Sequence, residues 1–134
     1  MGGTSIDSPG WNHFIMIIEK TFIEDLFLLR RQLNFDERGS FSRLYSHSEI
    51  TSTGVFEKPV HINTSHSIHA GTLRGIHFQY PPFEESKLVA CVKGAVWDVG
   101  VDLRPLSKTR FKSFGVELNA SNGVQLLIPN ERQK

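Results

Sequence analysis

From Met16 onward the apolar positions form short bursts separated by charges and turn residues, which is the pattern of short strands. Ile17, Ile18, Phe22, Ile23 and the run Leu26 to Leu29 make the first bursts. Asp36-Glu37-Arg38-Gly39 reads as a turn, and Ser40 to Tyr45 follows with Phe41 and Leu44 as its apolar members. Ser46 and Glu49 have the spacing of a helix start, which predicts a short helical stretch before Gly54 stops it. Val60 to Ser67 and Thr72 to Gln79 are strand candidates, and Pro81-Pro82 ends the second. Lys87 to Val92 and Ala95 to Leu103 flank Lys93-Gly94, a turn of hairpin type. The last pair is Phe111 to Leu118 and Val124 to Ile128, joined by a turn at Asn119 to Gly123.

Many short strands with frequent Gly, Pro, Asn and Ser punctuation predict an all-β sandwich or barrel in one domain. The run Gln125 to Ile128 needs sheet partners, yet only six residues follow it. The reading leaves three sources open: an edge position, further chain, or another subunit. Exposed edges recruit partners, so an oligomer is expected. Residues 1–15, which lack the sharper pattern that starts at Met16, are expected to be a disordered extension.

Composition narrows the function classes. The 134 residues carry a formal charge of +1, which argues against nucleic-acid or polybasic membrane binding. No apolar stretch approaches the ~20 residues that span a bilayer. Cys91 is the only cysteine, so an intrachain disulfide is impossible and a cytoplasmic setting is expected. His66 and His69 stand three apart without a third ligand at a useful spacing, so no metal site is expected.

The candidate chemistry lies in Gly71 to Gln79 and the following Lys87, which place Arg74, His77 and Lys87 within fourteen positions. In a hairpin turning at Lys93-Gly94, Lys87 faces Gly100 and Val89 faces Asp98. Lys87 and Asp98 then share one side of the pair. That side is either a solvated outer face, the better odds by ordinary burial rules, or a polar pocket. His77 is either a hydrogen-bonded structural residue or a base. Strict alternation puts Arg74 and His77 on opposite faces, unless Gly75 makes a bulge that re-aims one of them.

Five motifs in order resemble the dTDP-4-dehydrorhamnose 3,5-epimerase family. They are Asp36-Glu37-Arg38-Gly39-Ser40-Phe41; His61-Ile62-Asn63-Thr64-Ser65; Gly71 to Gln79; Lys87-Leu88-Val89 with Asp98 to Arg104; and Gln125 to Pro129. The resemblance implies a cupin-type jelly roll, expected to be incomplete at the C-terminus, that forms a homodimer. It implies a dTDP-linked 4-keto-6-deoxy sugar as substrate and epimerisation at C3 and C5 without a cofactor. By position, His77 would be the general base and Lys87 would stabilise the enolate oxygen. Arg38, His61, Asn63 and Arg74 would hold the nucleotide sugar. His61 stands where the family has Gln, and Arg43 where some members have Glu. The family's later Gly-Phe-Ala-His-Gly segment, its acid Tyr and its orienting Asp have no match here. Two readings therefore stand beside the enzyme: a relative that keeps the scaffold or ligand binding without turnover, and a single-carbon epimerase.

Overall fold

The computed structural model describes residues 15–130, so the N-terminal extension expected over residues 1–15 lies outside them except for Ile15. In chain order the elements are β1 (Met16–Lys20), β2 (Phe27–Arg31), β3 (Asn34–Asp36), β4 (Gly39–Phe41), α1 (His47–Thr51), β5 (Lys87–Ala90), β6 (Ala95–Val101), β7 (Ser113–Asn119) and β8 (Val124–Ile128). All strand pairs are antiparallel. No helix among the described residues is long and apolar enough to cross a membrane.

The main sheet has the order β1-β2-β8-β5. Successive side chains of a strand point to opposite faces, and here each face has its own apolar cluster. Met16, Phe27, Leu29 and Leu127 lie on one face under Ile50 of α1 and Val55. Val124 and Leu126 lie on the other with Leu26, Cys91 and Leu118 of β7. Leu126 and Leu127 are fully buried, one on each face. Each such side chain stabilises the fold by about 1.5–3 kcal/mol through burial. The partners of Gln125 to Ile128 are thus within the chain: β8 is an interior strand between β2 and β5.

The helix signal at Ser46 corresponds to α1, although not by the chemistry of a capping box. Ser46 makes no side-chain cap bond. Glu49 instead accepts a hydrogen bond from the backbone N–H of Met16 at 3.0 Å, tying the helix to the first strand. Gln125, buried among apolar neighbours, donates Nε2 to the Leu44 carbonyl at 2.9 Å and so holds the chain before α1 on the sheet.

Two expectations are corrected. Lys87–Val92 and Ala95–Leu103 do not form a hairpin. β5 pairs with β8, while β6 pairs with β7 in a separate ribbon. The Lys93-Gly94 turn instead carries the chain from one layer to the other. Gly94 adopts φ +75°, and its carbonyl accepts from Ala120 N–H at 3.1 Å. The physical reason is burial. β7 brings Phe114, Val116 and Leu118 to the second cluster, and a Cβ at Gly100 of β6 would meet Leu26 at 3.4 Å, so the ribbon covers the sheet instead of extending it. The second correction concerns Val60 to Ser67 and Thr72 to Gln79, which form no ladder. They run in an exposed excursion whose local bonds include Arg74 to Ser67 Oγ and to the His66 carbonyl, both 2.9 Å, and Thr72 Oγ1 to the His69 carbonyl at 2.7 Å.

The ribbon is fastened to the main sheet at one end by a buried cluster. Arg104 binds both oxygens of Asp102, the Asp25 carboxylate at 3.1 Å and the Glu24 carbonyl at 2.6 Å. Ser107 and Thr109 also donate to Asp102, at 2.6 and 2.7 Å. This links the turn between β1 and β2 to the loop after β6, and so fixes how β6 sits over the sheet that carries Lys87.

Candidate active site

Lys87 opens β5 at the edge of the main sheet, and Asp98 sits midway along β6 in the ribbon. The two residues that a hairpin would have set side by side belong to different layers. The charge of Lys87 still acts on the Asp98 carboxyl. Burial pushes the Asp98 carboxyl above the ordinary carboxylate range, opposed by the Val99 N–H and by Lys87. Its Oδ2 is buried and has no hydrogen-bond partner among the described residues. Lys87 is partly exposed and Asp98 is half-buried. Its neighbours Trp97 and Val99 take the exposed side of the ribbon.

The Lys87 ammonium itself is held by a residue to which the sequence reading gave no role. Glu85 Oε1 lies 3.2 Å from Nζ, with both side chains partly exposed. No motif marks a Glu two positions before a Lys, although strand parity puts such a pair on one side. Residues two apart in extended chain point to the same side, so Glu85, just before β5, can reach the Lys87 ammonium.

His61, Asn63, Arg74 and His77 all lie on the exposed excursion between Val60 and Ser86. His77 has no hydrogen-bond partner among the described residues. Gly75 adopts φ +103°, a value open to glycine, so strand parity no longer relates Arg74 to His77. Phe78 and Tyr80 pack edge to face with centroids 5.1 Å apart, just past His77. Arg74 is engaged within the excursion, where its guanidinium braces the loop from His66 to Thr72.

Arg38 is separate from all of these. It lies at the turn of the β3–β4 hairpin, which pairs only with itself. Its side chain is 85% exposed, and its Nε and one terminal nitrogen both donate to Asp36 Oδ2. That bond, with the Arg38 N–H at 2.8 Å, pulls the Asp36 carboxyl below its usual value. Around it is an open concavity of about 340 Å³, lined by Asn34, Phe35, Asp36, Arg38, Ser40 and Phe41. The structure therefore pairs Lys87 with Glu85, puts His61, Asn63, Arg74 and His77 on one excursion, and sets Arg38 on a distinct arm.

Comparison with known proteins follows the same residues. Residues 20–133 match the profile of the dTDP-4-dehydrorhamnose 3,5-epimerase family. A dTDP-4-dehydrorhamnose 3,5-epimerase of Sinorhizobium fredii is 37% identical over 129 residues, 96% of this chain and 63% of the relative. Among solved structures, the Bacillus anthracis dTDP-4-dehydrorhamnose 3,5-epimerase with TDP and PPi bound is 38% identical, with a TM-score of 0.81 over 87% of this chain and 67% of that one. The Legionella pneumophila 3,5-epimerase in complex with dTDP-4-keto-L-rhamnose is 34% identical, with a TM-score of 0.80 over 87% of this chain and 62% of that one. The chain thus spans about 63% of the length of its curated relative from Sinorhizobium fredii. The likeness in fold bears out the all-β, cupin-type jelly-roll expectation, with its layers here built from separate ladders.

Proposed function

This chain belongs to the dTDP-4-dehydrorhamnose 3,5-epimerase family, and from that membership we propose that it epimerises C3 and C5 of a dTDP-linked 4-keto-6-deoxy sugar. The observation that carries the reading is the family match over residues 20–133, which includes every motif residue named above. In this reading the neutral imidazole of His77 takes a proton from a carbon next to the sugar ketone. The electron pair left behind moves onto the ketone oxygen, and Lys87 stabilises the resulting enolate. A fixed cation aimed at charge that develops in the transition state is usually the largest catalytic term. Inversion is completed by a proton delivered from the opposite face, a role the family gives to a tyrosine that has no match in this sequence. Repeating the exchange on the other side of the ketone inverts the second carbon, and no cofactor enters.

Arg38, Arg74, His61 and Asn63 are assigned to the nucleotide diphosphate and the sugar, in keeping with the TDP and keto-sugar ligands of the two relatives. A homodimer is part of the proposal. What supports it is the β3–β4 arm, which pairs only with itself and exposes Phe35, Arg38 and Phe41. A cytoplasmic setting accords with Cys91, buried as a free thiol.

One specific observation favours a second reading, ligand binding without turnover: His77 is exposed and no neighbouring group orients its ring. The deciding experiment is deuterium incorporation from solvent into dTDP-4-keto-6-deoxyglucose, with His77→Asn as control. Uptake that depends on His77 supports the enzyme, and one or two deuterons per sugar separates single from double epimerisation. A ligand that binds without exchange leaves the binding protein.

A further inference from the structure

Lys87 stands between two carboxylates of different character. Glu85 is half exposed and holds its ammonium at 3.2 Å. Asp98, on the ribbon, feels the Lys87 charge, and its Oδ2 is buried and without a partner among the described residues. A buried carboxylate oxygen without a partner is costly, whereas an exposed ion pair is weak and easily opened. The ammonium is therefore engaged on the side where holding it gains little.

We propose that Glu85 is a positioning residue that holds Lys87 away from the reacting ketone in the empty site, and that ligand binding releases the ammonium toward Asp98 and the ketone oxygen. The inference rests on the function proposed above. It makes Glu85 a determinant of affinity for the keto sugar, acting through Lys87 alone. The ligand's ketone competes with Glu85 for one ammonium, so removing the carboxylate strengthens keto-sugar binding. The diphosphate and base do not engage that ammonium, so binding of dTDP is not improved by the same route.

The test is calorimetric titration of the full chain and of Glu85→Gln with dTDP and with dTDP-4-keto-6-deoxyglucose, at low and high salt. An exposed pair predicts a gain for the keto sugar of up to about fivefold at low salt, shrinking as salt screens the pair. The gain is absent for dTDP, absent when Lys87→Met is already in place, and reversed by Glu85→Asp. Equal gains for both ligands would reveal plain repulsion between Glu85 and the diphosphate and overturn the proposal. A gain that survives Lys87→Met, or no gain for either ligand, would overturn it as well. Failure of the wild-type chain to bind either ligand would instead remove the proposed function, and this inference with it.

Discussion

The guanidinium of Arg104 and the carboxylate of Asp102 are joined by two hydrogen bonds of 3.0 and 2.9 Å, with the Asp102 side chain wholly out of solvent. The pair lies two residues apart in sequence, yet it reaches across to Asp25 and the Glu24 carbonyl and locks ribbon to sheet. Removing only the cation would strand a buried carboxylate. Arg104→Met is therefore expected to cost about 3–5 kcal/mol in urea unfolding, a large share of a typical domain's stability. Arg104→Lys keeps the charge but loses the planar fork, and should fall between it and the wild type.

The same cluster sets an acid response. Burial pushes Asp102 up, but hydrogen bonds from Arg104, Ser107 and Thr109 outweigh it and hold the carboxyl far below the usual range. Its folded value is depressed, so its contribution is complete above the unfolded value near 4 and is lost as pH falls below that. Melting temperature should decline below about pH 4 in the wild type. In Asp102→Asn, whose midpoint will already be lower, that part of the slope should disappear.

Asp98 has the opposite sign. Its carboxyl is raised by burial, so the charged form costs stability above its folded value, and the cost is relieved as pH falls through that value. Asp98→Asn should raise the melting temperature at pH 7, while lowering deuterium exchange. A fall in both would show that Asp98 serves the fold and not the site.

Two glycines with left-handed φ should respond differently to alanine. At Gly94 a Cβ would meet nothing within 4 Å, so Gly94→Ala carries only the backbone penalty, about 1 kcal/mol. At Gly123 the Cβ would lie 2.7 Å from the Arg31 carbonyl oxygen, in the close approach where Arg31 N–H donates to the Gly123 carbonyl at 2.9 Å. Gly123→Ala should cost about 2–4 kcal/mol in denaturant unfolding, because backbone cannot move aside as a side chain does.

Arg38→Ala tests the arm. With 85% of the side chain exposed and its one ion pair at the surface, the change should leave the melting temperature within a degree or so of the wild type. If Arg38 holds the diphosphate, dTDP affinity should fall about tenfold or more, the loss of a charge-assisted contact. Unchanged affinity would remove Arg38 from the site.

Much of this was legible along the chain. The turn at Asp36–Gly39, the helix before Gly54, the alternation that turns Phe114, Val116 and Leu118 inward, and the turn at Asn119–Gly123 all depend on neighbours in sequence. Local backbone preference and strand parity are sufficient to predict them. A shared side for Lys87 and Asp98 was expected from a hairpin that does not exist. Alternation states which side chains share a face, and not which strand lies opposite. That choice was made by burial, which sent β6 over the sheet and left β8 beside β5. The excursion carrying His61, Asn63, Arg74 and His77 had the pattern of strands without a ladder to join. What the sequence determined by itself was the all-β class, the family and the inventory of chemical groups. Only the tertiary structure decided which strands pair and that Arg38 stands apart on its own arm, because strand pairing depends on long-range packing that no local pattern encodes.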